Sequence, residues 1–262
     1  MSETLTRSIS GILYIIILIG MTIYGEFTFE LLFSIFLLIG AFEFSKLIKL
    51  PKAFCLGVSA ITIGLIYLPN IQLPGNIIAL FAISVLLALM VEIFSKRKPN
   101  RSLFIKLIIF LGYIIAPFLT LILLPKVTGT YNSQIIIIMF VLIWTNDTFA
   151  YVVGKKFGKH KLLERISPKK TIEGFLGGIF FSILAGLILS YCFTTFSPVV
   201  YICSAIFVGI FGTIGDLVES HFKREAKVKD SGSIMPGHGG ILDRLDSAIF
   251  VAPFLYIIFQ IL

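Results

Sequence analysis

Charge is scarce in this chain. Of its 262 residues only 14% are Asp, Glu, Lys or Arg, against 57% hydrophobic, and mean hydropathy is +1.01. Soluble domains carry roughly a quarter charged residues, so the shortage excludes a large soluble domain and puts the chain among polytopic membrane proteins. Cysteine is nearly absent as well. Cys55, Cys192 and Cys203 lie inside apolar runs with no paired spacing, which argues against disulfides and a cysteine zinc site. The three histidines, His160, His221 and His238, lack a spacing such as H-x-x-x-H, so zinc is disfavoured on that count too. Internal repeats and low-complexity tracts are missing. A cleavable leader is not expected, because the run Ile9 to Tyr24 is nearly span length, follows one basic residue and lacks a small-residue cleavage site.

What the chain does have is apolar sequence, cut by polar breaks into nine stretches: roughly 9–24, 27–45, 53–69, 76–94, 103–124, 133–153, 172–195, 199–220 and 241–262. Each is close to the ~20 residues that a helix needs to cross a bilayer. Pro51, Pro69, Pro74, Pro99, Pro125, Pro168, Pro198 and Pro236 all fall between stretches or at their ends, as chain breakers should. The expected fold class is all-α, a polytopic integral membrane protein of about nine transmembrane helices with a cytoplasm-facing polar site. Three parts are expected: N-terminal helices over 1–75, middle helices over 76–132, and a C-terminal catalytic region with two loops over 133–262. The first three stretches have almost no interior charge apart from Glu43 near a helix end, and read as scaffold.

Basic residues follow the even-numbered stretches: Lys46, Lys49 and Lys52; Lys96, Arg97, Lys98, Arg101 and Lys106; Lys155 to Lys170; Lys223 to Lys229. Of the 22 Lys and Arg, only Arg7 and Lys126 lie away from these loops and their flanks. The positive-inside rule assigns this side to the cytoplasm, and both termini are expected on the other side. Positive-inside bias alone accounts for the first two clusters.

Two loops hold more than orientation requires. From Trp144 to Gly178, Asn146 and Asp147 sit inside the end of an apolar helix, where an ionisable group costs about 2.5–3.5 kcal/mol and usually faces a partner, a cavity or a function. Downstream, Ser167-Pro168-Lys169-Lys170-Thr171 precedes the next apolar stretch. Ser167 or Thr171 can cap that helix while Glu173 complements its positive end. The same residues read either as a helix start with a basic flank or as a phosphate seat. Gly174, Gly177 and Gly178 permit close helix packing there.

The densest polar stretch, Gly215 to Ser247, holds six of the fourteen acidic residues. If it is helical before Lys223, Asp216, Glu219, Ser220 and Lys223 share one face; if a second helix starts near Ile241, Asp243, Asp246 and Ser247 repeat the pattern. Lys223, Arg224 and Arg244 can offset these carboxylates structurally. A hard cation such as Mg2+ explains them better, since it takes one or two carboxylates and shares its other positions with water and phosphates. Between the faces, Pro236 to Gly240 can bring backbone amides close to a ligand, Lys227 and Lys229 supply point charges, and Arg224 or Arg244 can clamp a phosphate. His238 reads equally as a proton donor or as a satisfied turn residue.

At Ser220 a longer pattern begins: Ser220-x-Phe222-Lys223-Arg224, then Lys229-Asp230-x-Gly232, then Pro236-x-His238-Gly239-Gly240-Ile241-x-Asp243-Arg244-Leu245-Asp246. It resembles the signature of the phosphatidate cytidylyltransferase (CDP-diacylglycerol synthase) family, with Met235 where Leu, Ile or Phe is usual. Upstream, Asp147, Ala150-Tyr151, Gly154, Phe157-Gly158-Lys159, Ile166 to Thr171 and Glu173-Gly174 resemble the same family, with Lys155 where Arg is common. Motif-level resemblance covers residues 144–247.

The resemblance implies that CTP and phosphatidic acid give CDP-diacylglycerol and pyrophosphate, with Mg2+ and possibly a second cation. It implies a metal on Asp216, Asp243 and Asp246, with Lys223 and His238 beside them in catalysis. Substrate contacts are expected from Asn146, Asp147, Ser167, Lys169, Lys170, Thr171, Glu173, Ser220, Arg224, Lys229, Asp230, Gly239, Gly240 and Arg244. Expected partners are CTP, phosphatidic acid, the bilayer and a second copy in a homodimer, with no nucleic acid. The expected location is a bacterial plasma membrane, with the site facing the cytoplasm. Two alternatives compete: a CTP-dependent lipid-alcohol (polyprenol) kinase and a cation or phosphate-ester transporter. The transporter would hold its binding groups near the bilayer midplane.

Overall fold

The computed structural model describes residues 3–68, 73–95 and 99–261. Pro69, Lys96, Arg97 and Lys98, singled out above, lie outside the described residues. The helices are α1 (Glu3–Tyr24), α2 (Glu26–Ile48), α3 (Lys52–Tyr67), α4 (Gly75–Phe94), α5 (Leu103–Lys126), α6 (Ser133–Phe157), α7 (Ile172–Cys192), α8 (Pro198–Glu225) and α9 (Leu242–Ile261). Among the described residues seven of these are long and apolar enough to cross a membrane, and the apolar parts of α1 and α3 are shorter. The expected multi-span helical membrane fold is what the chain forms.

Local sequence sets the helix ends. Ser102 caps α5 by accepting from the Ile105 amide (3.4 Å), and Asn132 caps α6 by accepting from the Gln134 amide (3.0 Å). Pro198 opens α8, where its missing N–H costs nothing. α2 closes on Lys49 in the left-handed region (φ 56°), just before Pro51.

α5 and α9 form the centre, with 78% and 72% of their apolar windows buried, whereas only 22% of α7's is. Leu176, Phe180 and Ile188 on α7 and Ile77, Leu80 and Val91 on α4 point outward, a lipid-facing pattern. Two wide π turns interrupt the helices, at Leu111–Ile115 in α5 and Val208–Gly212 in α8. Such turns shift the register of the residues that follow. The second sits directly before the polar face of α8.

Two expectations need correction. The SPKKT segment is not a helix start: Ser167–Thr171 forms strand β2, paired antiparallel with β1 (Lys161–Leu163) in a small hairpin. Only Thr171 caps α7, its hydroxyl accepting from the Gly174 amide at 3.1 Å, so the Ser167 alternative is excluded. The termini also differ from expectation. The Ser10 hydroxyl near the start of α1 donates to the Pro236 carbonyl (3.0 Å), in the loop before α9. At the helix's other end, the Tyr131 hydroxyl donates to the Thr22 carbonyl (2.6 Å). Lys126 pairs there with Glu26 (2.5 Å) and with Glu30. The start of α1 therefore lies at the same bundle end as the polar loops, and α9 finishes at the opposite end. An odd number of crossings requires this.

Candidate functional site

Three carboxylates converge where α8 meets α9. Asp216, Glu219 and Asp246 each bring an oxygen within 4.8 Å of the others'. The Ser220 hydroxyl donates to Asp216 (3.1 Å), and Lys170 pairs with Asp216 at 2.7 Å. Glu219 is wholly buried and ion-paired with Lys223. Lys170 and Lys223, the latter shared with Asp243, offset part of the charge of these three carboxylates, and a cation can offset the rest. An all-oxygen set of this kind fits a hard divalent cation.

Asp243, one turn before Asp246, has a different environment. It pairs with Lys223 (2.6 Å) and accepts from the amides of Ser231 (2.9 Å) and Gly240 (2.7 Å), with the Ser231 hydroxyl at 2.8 Å. It thus clasps the glycine-rich loop to α9. Glu43, expected to be scaffold, completes the clasp from α2: its carboxylate accepts from the Leu242 amide (2.9 Å) and the Ile241 amide (3.3 Å), with the Ser231 hydroxyl at 3.2 Å. A negative charge at the start of α9 satisfies free amides and complements the helix dipole. Gly237 (φ 75°) and Gly239 (φ 84°) supply backbone that other residues adopt only under strain, and a side chain at Gly240 would collide with Glu43 and Ser231.

The facing wall is built by α6, the hairpin and α7. Asn146 is buried and donates to the Thr213 hydroxyl on α8 (3.3 Å). α6 and α7 touch through glycines, as their spacing predicts: a β-carbon at Gly174 would lie 3.0 Å from Gly154 Cα, and one at Gly178 would lie 2.5 Å from Asn146 Oδ1. Glu173 accepts from the amides of Lys159 (3.0 Å) and His160 (3.2 Å), fixing the chain between α6 and β1. The Lys161 ammonium donates to the Pro168 carbonyl (2.7 Å) within the hairpin.

Between the walls lies a cavity of about 720 Å³. Of the residues expected to act in catalysis, metal binding or substrate contact, it is lined by Asp147, Lys169, Lys170, Thr171, Asp216, Asp243, Arg244 and Asp246. Asn146, Ser220 and Lys223 stand behind this lining, hydrogen-bonded or ion-paired to groups on it. Ser167, Glu173, Gly239 and Gly240 shape the hairpin and loop without lining the cavity. Arg224, in the last turn of α8, and Lys229 and Asp230, on the connection after it, are exposed and line neither this cavity nor the smaller one beside it; the Arg224 guanidinium donates to the Val228 carbonyl (3.1 Å). His238 borders the smaller cavity, its Nδ1 2.7 Å from the Ser10 hydroxyl.

Sequence reasoning did not single out Glu43, Ser231 or Thr213 for the site. For Glu43 the signal existed, since a carboxylate inside an apolar span is as costly there as at Asp147. Glu219 was placed on the acidic face but left out of the metal set. Lys161 was counted only for orientation, yet its side chain borders the cavity.

Fold and site together define a polytopic membrane protein with a pocket at one bundle end, where lysines and an arginine face clustered carboxylates, a chemistry suited to phosphates and a cation. The chain belongs to the cytidylyltransferase family, whose profile matches residues 5–262. It is 36% identical over 264 residues to the phosphatidate cytidylyltransferase of Bacillus subtilis (strain 168), covering 95% of each chain. Its identity to the phosphatidate cytidylyltransferase of Staphylococcus haemolyticus is also 36%, over 267 residues, covering 96% of this chain and 97% of that one. To that of Staphylococcus aureus (strain COL) it is 50% over 133 residues, about half of each chain.

Proposed function

We propose that the chain transfers the cytidylyl group of CTP to phosphatidic acid, giving CDP-diacylglycerol and pyrophosphate. The observation that carries this is the 720 Å³ cavity in which Lys161, Lys169, Lys170 and Arg244 face Asp216 and Asp246, within a chain of the cytidylyltransferase family. A phosphate oxygen of phosphatidate attacks the α-phosphorus of CTP, and the bond from that phosphorus to the bridging oxygen of the pyrophosphate breaks. The nucleophile is already an anion, so no strong general base is required. Catalysis rests on bringing two polyanions together and neutralising them.

The lysines and Arg244 do the first part, offering donors to phosphate oxygens from opposite walls. Asp216, Asp246 and Glu219 would hold Mg2+, with Lys223 keeping Glu219 and Asp243 in register. When bound, the cation supplies charge neutralisation at the phosphate oxygens and the departing pyrophosphate. Asp243 and Glu43 keep the glycine loop closed over the start of α9. The basic loops at this bundle end support a cytoplasmic orientation by the positive-inside rule, in the plasma membrane of a bacterium.

The test is product analysis with purified, monodisperse protein in detergent, supplied with CTP, Mg2+ and phosphatidate. Equal amounts of CDP-diacylglycerol and pyrophosphate are expected, and chelation should stop both until Mg2+ is restored. Release of CDP with no cytidine on the lipid would point to a lipid kinase instead, and absence of both products would sink the proposal.

A further inference from the structure

The larger cavity is lined by lysines, Arg244 and carboxylates, which suit the phosphates of a nucleotide. A second cavity of about 280 Å³ lies beside it between α1, α6 and α9, and the two share Asp147, Asp243, Arg244, Asp246 and Ser247 in their linings. Its other walls are mostly apolar, among them Ile15 on α1 and Phe140, Ile143 and Trp144 on α6. One polar group stands out on this apolar side. Tyr14 lines the cavity's wall on α1, and its hydroxyl is enclosed with no hydrogen-bond partner among the described residues. A buried hydroxyl without a partner is a donor awaiting an acceptor.

We propose that this second cavity is the seat of the lipid substrate's glycerol-ester region. A diacyl lipid phosphate enters from the bilayer between α1 and α6, its phosphate reaches Arg244 at the junction of the cavities, and the Tyr14 hydroxyl donates to an ester carbonyl. Three features fit this occupant: apolar walls for the first methylenes, one unpartnered donor on the α1 wall, and a guanidinium where the two cavities meet. α1 is thereby part of the binding site, with exposed Ile12 and Ile16 on the lipid-facing approach. Gly11 leaves room at the cavity's edge, since a β-carbon there would lie 3.4 Å from His238 Cε1.

The inference rests on the proposed transfer reaction for the identity of the lipid, but its test does not need turnover. Trp144 is the chain's single tryptophan and borders this cavity, so its fluorescence reports occupancy. In detergent micelles, phosphatidate with brominated acyl chains should quench Trp144 saturably, and brominated phosphatidylcholine should quench it far less. Tyr14→Phe keeps the ring and should raise the phosphatidate concentration for half-quenching by about three- to tenfold, the effect of one lost hydrogen bond. In the activity assay the same variant should raise the KM for phosphatidate by a similar factor and leave the KM for CTP within about twofold. Gly11→Leu, which fills the cavity's edge, should weaken quenching further. Equal quenching by both lipids, or unchanged half-quenching in both variants, overturns the inference. A wild-type protein that makes CDP-diacylglycerol yet shows neither effect refutes the lipid seat alone. Saturable quenching without product would leave the seat standing and refute the transfer reaction.

Discussion

The two walls of the larger cavity carry opposite charge and differ in how firmly they are held. On the α8–α9 wall the acidic groups are tied into the bundle: Asp243 takes bonds from Lys223, Ser231 and Gly240, and Glu219 is wholly buried beside Lys223. On the opposite wall, Lys161 and Lys169 are exposed and project from a short hairpin. A cation site needs fixed oxygens at set distances, whereas a flexible triphosphate can be met by side chains that adjust. Lys170 bridges the walls through its 2.7 Å pair with Asp216.

The comparison can be broken first at the acidic wall. Asp246→Asn should lower turnover by about a thousandfold or more, comparable with removal of a main electrostatic contact to the reacting phosphates, while melting temperature in detergent changes little. Asp243→Asn should differ. It removes one of the two carboxylate partners of Lys223, leaving Glu219, and weakens the bonds to the glycine loop, so turnover should fall together with stability, by roughly 1–3 kcal/mol. Thermal unfolding and activity measured on both variants separate the two roles. Identical melting behaviour would remove the distinction.

A smaller effect is expected at Glu43→Gln, which keeps the size and loses the charge that caps α9. A loss of about 1–3 kcal/mol in stability and faster amide exchange over residues 231–242 should accompany a partial loss of activity. Exchange confined to other segments would contradict the clasp. Smallest are the changes on the basic wall. Lys170→Ala should raise the KM for CTP about tenfold, and the more exposed Lys169→Ala about threefold at most, both less marked in high salt. If Lys169→Ala had the larger effect, the bridging role of Lys170 would fail.

Much of this was legible in the linear chain. The helix over Asp216 to Lys223, the second helix from Leu242 and the glycine packing of α6 on α7 follow from spacing, because i, i+3, i+4 periodicity and small residues act locally. The hairpin was not legible: SPKKT carries a capping threonine and reads as a helix start, and only pairing with Lys161–Leu163 makes it a strand. That the chain begins and ends at opposite bundle ends follows from an odd number of crossings, which the expectation for the termini overlooked.

The sequence by itself determined that this chain lives in a membrane, where its helices run, and which family it joins, since hydropathy and a dense motif survive without knowledge of contacts. Tertiary structure decided which acidic groups cluster. It gathered Glu219 with Asp216 and Asp246, bound Asp243 to a loop, and brought Glu43 to the Leu242 amide across 199 positions of sequence. The physical reason is that a carboxylate's role depends on what neutralises it. For these groups that partner arrives from another helix.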